Sequence, residues 1–102
     1  MSIVMGVGKD APIITNKSGG KQSAVNYRFD LIDTDAIFEL TKILSEGANK
    51  YGEWNWKKIN RQDHINHALI HLYAYMAGDT QDDHLGHAFC RIMFALGTED
   101  NQ

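Results

Sequence analysis

Apolar residues recur every three or four positions in three stretches of the chain, and residues that favour helix ends flank each stretch. This spacing places apolar side chains along one side of a helix. The helices are predicted to begin at Asp33-Thr34-Asp35, at Asn60 and near Thr80, and to stop at Gly52, Gly78 and Gly97. Their predicted buried sides are, in chain order, Ile37, Leu40, Ile43, Leu44 and Ala48; Ile65, Leu69, Leu72 and Met76; and Leu85, Phe89, Ile92 and Leu96.

The first thirty residues lack this spacing. The stretch NKSGGKQS has two adjacent glycines and indicates a loop, whereas VNYRFDLI alternates in part and indicates a short strand or an extended arm. A chain of 102 residues has the length of one domain. We therefore predict a single, mostly α domain over 1–102, with a loop or extended arm over 1–30 and a three-helix part over 34–97.

The chain has more aromatic residues than the apolar sides of three amphipathic helices can bury against one another. Burial of this excess predicts a homo-oligomer, in which helices from two chains complete a bundle.

Charge and composition narrow the class of protein. The formal net charge is −3 without a Lys/Arg cluster, which is untypical of proteins that bind duplex nucleic acid. No apolar run approaches the roughly 20 residues that span a bilayer. The single cysteine cannot form an internal disulfide, which fits a reducing compartment. We expect a cytoplasmic protein that binds neither duplex nucleic acid nor membranes.

All the histidines lie on the second and third predicted helices. They are His64, His67, His71, His84 and His87. The first three share one face of the second helix, and the last two share one face of the third. Helices joined by a short turn usually pack antiparallel, so the two faces can meet across one groove. His67 with His71, and Asp83 with His87, are each one turn apart, a spacing from which two side chains can reach one ion.

The chemistry of this groove has more than one interpretation. Carboxylates mixed with imidazoles suit Mg²⁺, Mn²⁺ or a similar divalent metal, whereas protonated histidines can contact an anionic ligand directly. Helix capping alone would explain Asp63 and Asp83. The chain has no cysteine pair, so a structural zinc site is not indicated.

Two segments outside the histidine helices carry groups suited to a nucleotide. In GGKQS, glycine amides, Lys21, Gln22 and Ser23 offer donors of the kind that cradle phosphate, although a flexible linker is the alternative interpretation. In GANKYGEWNW, Lys50 supplies a cation, and Tyr51 or an exposed tryptophan can stack on a nucleobase. One tryptophan is expected in the core.

These motifs resemble, in their order along the chain, a family of phage and bacterial proteins named for dATP/dGTP diphosphohydrolase N-terminal domains. The similar stretches are GGKQS, YRFDLI, GANKYGEWNW, DHINHALIHLYAYMAGD and DDHLGHAFCR, from about residue 19 to residue 96. The resemblance implies a mostly helical fold and release of pyrophosphate from a purine deoxynucleoside triphosphate with a divalent metal, Mg²⁺ or Mn²⁺.

The resemblance also implies site residues. Those assigned to nucleotide binding are Lys21, Gln22, Ser23, Arg28, Lys50, Tyr51, Asn55, Trp56, His64 and His84. Those assigned to catalysis and to the metal are His67, His71, Asp83 and His87. The related MazG-type pyrophosphatases hold Mg²⁺ with Glu-x-x-Glu and Glu-x-x-Asp motifs, and Glu-x-x-Glu does not occur here. A metal site in this chain must therefore be built differently, from histidine and aspartate.

The sequence thus predicts a metal-dependent (deoxy)nucleoside triphosphate pyrophosphohydrolase acting on a purine nucleotide, located in the host cytoplasm if it is encoded by a phage. The alternatives are a non-catalytic nucleotide-binding protein, for example one that sequesters a host signalling nucleotide, and a structural helical dimer.

Overall fold

The computed structural model describes residues 8–25 and 27–99. The chain divides into two compact units, residues 1–32 and 33–102. The boundary lies close to the predicted transition from arm to helices, and the prediction of one domain over 1–102 stays a prediction.

The first unit contains a small antiparallel hairpin. Strands β1 (Ile13–Thr15) and β2 (Lys21–Ser23) pair with Ile14 opposite Gln22. The Asn16 side chain closes the turn, because its Oδ1 accepts hydrogen bonds from the backbone N–H groups of Ser18 (2.9 Å) and Gly20 (2.8 Å). The predicted loop therefore ends in a strand. The prediction of a short strand in VNYRFDLI was wrong for the described residues of this stretch, which instead contain a 3₁₀ helix over Phe29–Leu31.

Helix α1 spans Thr34–Tyr51 and confirms the first predicted helix. Asp33 begins it by accepting a hydrogen bond from the Ala36 amide at 2.9 Å. Gly52 ends it with φ of 101°, a conformation that glycine adopts without the steric cost of a side chain. On the inner side of α1, Leu40 and Ile43 are buried.

Helices α2 (Arg61–Met76) and α3 (His84–Gly97) form the second and third predicted helices. Asn60 begins α2 as predicted, since its side chain accepts from the Asp63 amide at 2.9 Å. The predicted start of α3 near Thr80 was wrong. Asp83 is the capping residue itself, because its carboxylate accepts from the Gly86 amide at 3.1 Å.

The predicted buried side of α3 was also wrong. The residues that α3 buries are small ones, Gly86, Ala88, Cys90 and Ala95. At Gly86 the absence of a side chain leaves room for the capping Asp83 carboxylate and for α1, since a Cβ at this position would meet that carboxylate and would lie 2.8 Å from Ile43 Cδ1. The bulky residues predicted to be buried are instead exposed, by 49% at Leu85, 39% at Phe89, 47% at Ile92 and 80% at Leu96.

The connector between α1 and α2 is tied to the last turn of α3. Its 3₁₀ helix, Asn55–Lys58, places the Trp56 ring 4.7 Å from the Phe94 ring and nearly parallel to it. At the start of α2, the Arg61 guanidinium donates to the carbonyls of Ala95 (2.7 Å) and Thr98 (2.5 Å). The entry to α2 and the exit of α3 are thereby held together.

The predicted mostly α fold with three helices is confirmed, with the small hairpin as an addition. Among residues 8–25 and 27–99, no helix combines the length and the apolar character needed to cross a membrane. Homo-oligomerisation stays a prediction.

Candidate functional site

The α2–α3 pair brings histidines together in two layers. At the loop end, His71 Nδ1 lies 2.9 Å from His84 Nδ1, and at the other end His64 Nδ1 lies 3.1 Å from Arg91 Nη1. His64 and His71 are seven residues apart, as are His84 and Arg91. Two helical turns, about 10 Å, therefore separate the layers.

The loop-end layer gathers five titratable side chains, which we call the histidine cluster: His71, Asp79, Asp82, His84 and His87. The His71 ring stacks on the His87 ring with centroids 5.1 Å apart. His84 Nε2 lies 2.5 Å from Asp79 Oδ2, and His87 Nε2 lies 3.4 Å from Asp82 Oδ1. The His84 side chain is only 10% exposed, whereas Asp82 and Asp79 stay open to solvent.

These contacts determine which nitrogens can bind a ligand. An ionised carboxylate only accepts hydrogen bonds, so His84 Nε2 carries the proton that is donated to Asp79. A neutral His84 then carries its lone pair on Nδ1, which accepts from His71 Nδ1–H, so this hydrogen bond between the two histidines must open before His84 Nδ1 can bind an ion. A carboxylate that fixes the ring of a histidine in this way is the usual outer partner of a metal-binding imidazole.

The surroundings of His71 and Asp79 favour the protonation states that metal binding requires. Burial lowers the pKa of His71, and the nearby His87, His84 and Arg91 lower it further. The hydrogen bond from His84 lowers the pKa of Asp79. Near neutral pH, His71 is therefore mainly neutral and Asp79 is ionised, and only deprotonated groups ligate a metal.

Three residues of the cluster could hold one ion. His71, Asp82 and His84 each offer a ligand atom, and these atoms lie within 4.8 Å of one another. Two imidazoles with one carboxylate suit Mn²⁺, Fe²⁺ or Zn²⁺ better than Mg²⁺, which prefers oxygen ligands and keeps several waters. The donor set therefore fits a divalent transition metal.

The residues predicted for catalysis and metal binding lie in different places. His71 and His87 belong to the cluster, and His84, predicted to bind nucleotide, lies beside them. His67 is exposed on α2. The Asp83 carboxylate caps α3 and also interacts with Glu39 of α1. The Gly86 amide lowers the pKa of Asp83, and the hydrogen bond with Asp83 raises the pKa of Glu39.

His64, predicted to bind nucleotide, is 0% exposed. Its Nε2 donates to the Trp56 carbonyl at 2.9 Å, so its Nδ1 accepts from Arg91, and its ring packs on Phe94. Burial is the main cause that lowers its pKa. Both ring nitrogens are engaged inside the protein, so His64 holds the connector to α3 in this conformation and leaves no atom for a ligand.

The connector divides its two tryptophans between core and surface. Trp56, predicted to bind nucleotide, is half-buried against Phe94, whereas Trp54 is 64% exposed. Trp54 also has φ of 63°, a left-handed conformation that costs a bulky residue about 1–3 kcal/mol and often marks a functional site. Lys57 Nζ lies 5.1 Å from its ring centroid. Trp54 thus offers the open aromatic face that the sequence assigned to Trp56.

The remaining connector residues lie near this tryptophan pair in sequence. Lys50 Nζ is 5.2 Å from the Tyr51 ring centroid, and the Tyr51 side chain is largely exposed. The backbone N–H of Asn55 donates to the Gly52 carbonyl at 3.3 Å, within the turn that precedes the 3₁₀ helix.

The residues predicted in the arm belong to the first unit. Lys21 and Gln22 are exposed on β2, and Ser23 is half-buried. Three amides of the glycine loop, those of Ser18, Gly19 and Gly20, already donate to Asn16, so the backbone does not present the expected phosphate cradle at those groups. Arg28 forms two hydrogen bonds with Asp30, at 2.8 and 2.7 Å, and its charge is paired.

Sequence reasoning left Asp79 and Asp82 out of the candidate site. A signal for them exists, because each precedes a histidine by five residues, Asp79 before His84 and Asp82 before His87. With this spacing, each aspartate lies in the turn before α3, and its carboxylate contacts a histidine in the first turn of that helix.

The comparison with protein families identifies the chain. Residues 16–102 match the family described as dATP/dGTP diphosphohydrolase, N-terminal. The matched region includes β2, the three helices and the histidine cluster. No curated protein and no solved structure gives a significant match. As its motifs indicated, the chain belongs to the dATP/dGTP diphosphohydrolase N-terminal family.

Proposed function

We propose that this protein is a metal-dependent hydrolase of purine deoxynucleoside triphosphates that releases pyrophosphate. The observation that carries the proposal is the convergence of His71, Asp82 and His84, with Asp79 orienting His84. The name of the family to which the chain belongs supports dATP and dGTP as the substrates to test. Because that name refers to an N-terminal domain, nucleotide binding without hydrolysis is the alternative that the experiment must separate.

The roles within the cluster follow from its contacts. His71 and His84 hold the metal through imidazole nitrogens, and Asp82 adds a carboxylate oxygen. A divalent metal, when bound, offsets triphosphate charge and activates water. His87 is 36% exposed with its Nε2 directed to Asp82, so it can take a proton from water while Asp82 orients the ring.

The groups that can bind the nucleotide are solvent-exposed lysines and aromatic rings with an exposed face. Lys50 and Lys57 supply cations near the exposed rings of Tyr51 and Trp54. A ring with one free face can stack on a nucleobase. Such stacking accepts any base and contributes about 1–3 kcal/mol. Lys21 belongs to the separate first unit, where it is exposed on β2, and its role in phosphate binding stays a prediction.

Two assays on the same protein test the proposal. The first detects phosphate after added pyrophosphatase, with each dNTP and with Mn²⁺ or Mg²⁺. We expect release from dATP and dGTP, faster with Mn²⁺. The second measures thermal shift with nucleotides, since a ligand at 100 times its Kd stabilises by about 2.7 kcal/mol. A nucleotide-induced thermal shift without hydrolysis would establish the non-catalytic alternative. If the protein shows no hydrolysis and no thermal shift, both the hydrolase proposal and the binding alternative are overturned.

Matched variants connect the activity to the cluster. His84→Ala should abolish hydrolysis and Mn²⁺ binding measured by calorimetry. Asp79→Asn should weaken Mn²⁺ binding about 10–100-fold, the usual effect of losing an outer partner. His67→Ala, an exposed histidine one turn from His71, is the control and should change neither. If all three behave alike, the cluster is not the metal site.

A further inference from the structure

Helix α3 exposes a row of large apolar side chains. The row is formed by Leu85, Phe89, Ile92 and Leu96, spaced four, three and four residues apart, and 39–80% of each residue is exposed. The other sides of α3 pack on α1, on α2 and on Trp56. The apolar faces of a helix are normally buried, and this row is the apolar face of α3 that is left uncovered.

Helix α2 carries a matching row. Ile65, Leu69, Leu72 and Met76 repeat the same spacing, and Ile65, Leu69 and Met76 are 38%, 45% and 68% exposed. The spacing is that of the apolar positions through which helices of a bundle interdigitate. Since α2 and α3 are antiparallel, helical periodicity places both rows on one face of the pair, turned away from His84 and His87.

The size of this face is that of a stable protein interface. The exposed fractions in the two rows equal about three and a half fully exposed side chains. At roughly 150–200 Å² for each side chain, the lower part of the range for large rings because Phe89 is the one aromatic residue in the rows, the face presents on the order of 500–700 Å². A standard interface buries about 800 Å² on each partner, and monomers rarely expose an apolar patch beyond a few hundred Å².

The interior of the helical unit is correspondingly small. Leu40 and Ile43 are the large apolar residues among its buried ones, and the largest fully buried side chain is His64. A unit with so few large buried side chains gains much from covering a further apolar face.

We propose that this face packs against the same face of a second copy, so that two α2–α3 pairs form a four-helix bundle. A second copy presents the same spacing without any charged residue in either row, which a two-fold axis makes self-complementary. The inference rests on the apolar rows and is independent of the proposed hydrolysis.

Sedimentation equilibrium of the full chain, over about 1–100 µM, tests this interface. We expect a dimer or a larger even-numbered assembly, and a melting temperature that rises with protein concentration. A wild-type monomer throughout this range would overturn the proposal, because the face would then be covered by residues 1–32 or left for another protein.

Variants locate the contact. Phe89→Glu and Leu96→Glu should each weaken association at least about a hundredfold, since each would bury an unpaired charge. Phe38→Glu is the control, because Phe38 is 75% exposed on α1 and lies outside both rows. Dissociation by the control alone, or equal dissociation by all three, would place the interface elsewhere. The wild-type mass and its concentration-dependent melting decide the matter even if a variant fails to fold.

Discussion

Replacing His64 should cost more stability than replacing any other histidine. This residue is 0% exposed, donates to the Trp56 carbonyl and accepts from Arg91. His64→Ala removes both hydrogen bonds and leaves the Trp56 carbonyl and Arg91 without these bonds. It also opens a cavity beside Phe94, because alanine fills little of the volume of the ring.

The magnitude follows from these losses. Each lost hydrogen bond contributes about 1 kcal/mol, and the stranded partners add to that cost. The cavity adds about 1–2 kcal/mol, less than the 3–5 kcal/mol typical of removing a larger aromatic ring. We therefore expect the free energy of unfolding to fall by about 3–4 kcal/mol. His64→Phe keeps the volume but not the bonds, so it should lose about 2 kcal/mol.

Urea unfolding followed by circular dichroism measures these changes, at one fixed protein concentration because association would shift the midpoint. His67→Ala is the matched control, since this histidine is exposed on the same helix and should change stability by less than about 0.5 kcal/mol. If His64→Ala costs under 1 kcal/mol, or no more than the control, the buried layer does not hold the connector to α3.

Further predictions concern packing, capping, pH and the thiol. Gly86→Ala should cost about 1–3 kcal/mol in thermal unfolding because its Cβ meets packed atoms, whereas Gly47→Ala meets nothing and should gain about 0.5–1 kcal/mol; equal effects would refute the close approach of α1. Asp83→Ala should lower stability by about 1 kcal/mol and Asp83→Asn much less, since asparagine also caps helices; full loss in both would point to a role for the charge. Burial lowers the pKa of His71 below its value of about 6.5 in the unfolded chain, so the unfolded state binds more protons and the urea midpoint should fall as pH drops from 7.5 through 6.5; a rising midpoint would contradict this. Burial raises the pKa of the Cys90 thiol to about 11, so it should react with a disulfide reagent only after unfolding.

Local signals in the sequence predicted the helix ends well. Asp33 and Asn60 begin α1 and α2 as expected, because a cap acts within one turn of chain and needs no tertiary information. The start of α3 was ambiguous, since Thr80 and Asp83 can both cap. Asp83 does so in the structure, while the neighbouring Asp79 and Asp82 turn towards histidines.

The burial of α3 could not be predicted from hydrophobicity. Outside the face that carries His84, His87 and Arg91, the sides of this helix are apolar or small, so the pattern does not say which of them meets α1 and α2. Close helix packing favours the two sides that carry the small residues Gly86 and Ala88, which leaves the bulkier Phe89 and Leu96 outside. Hydrophobicity identifies residues that need covering, and it does not say which chain covers them.

The sequence predicted that histidines of two helices meet, but it did not predict which residues of α2 lie opposite which residues of α3. The sequence indicated that histidines of α2 and α3 face each other. Which ones meet depends on the turn length, which places His71 opposite His84 and His64 opposite Arg91. Between these levels His67 stays in solvent. A shift of the helices by one turn would have brought different ligands together, and no local signal specifies that shift.

The bonds from Arg61 to the end of α3 have a consequence for how the chain folds. They join residues 37 positions apart and place a guanidinium at the helix terminus where carbonyls accumulate negative charge. The segment from 61 to 98 is therefore a ring closed by hydrogen bonds at one end and by the peptide chain at the other. No contact within this segment spans more than 37 positions, and a limited sequence separation favours rapid formation. Such a segment can form as one unit and give α1 a surface to pack on, and it contains every residue of the histidine cluster.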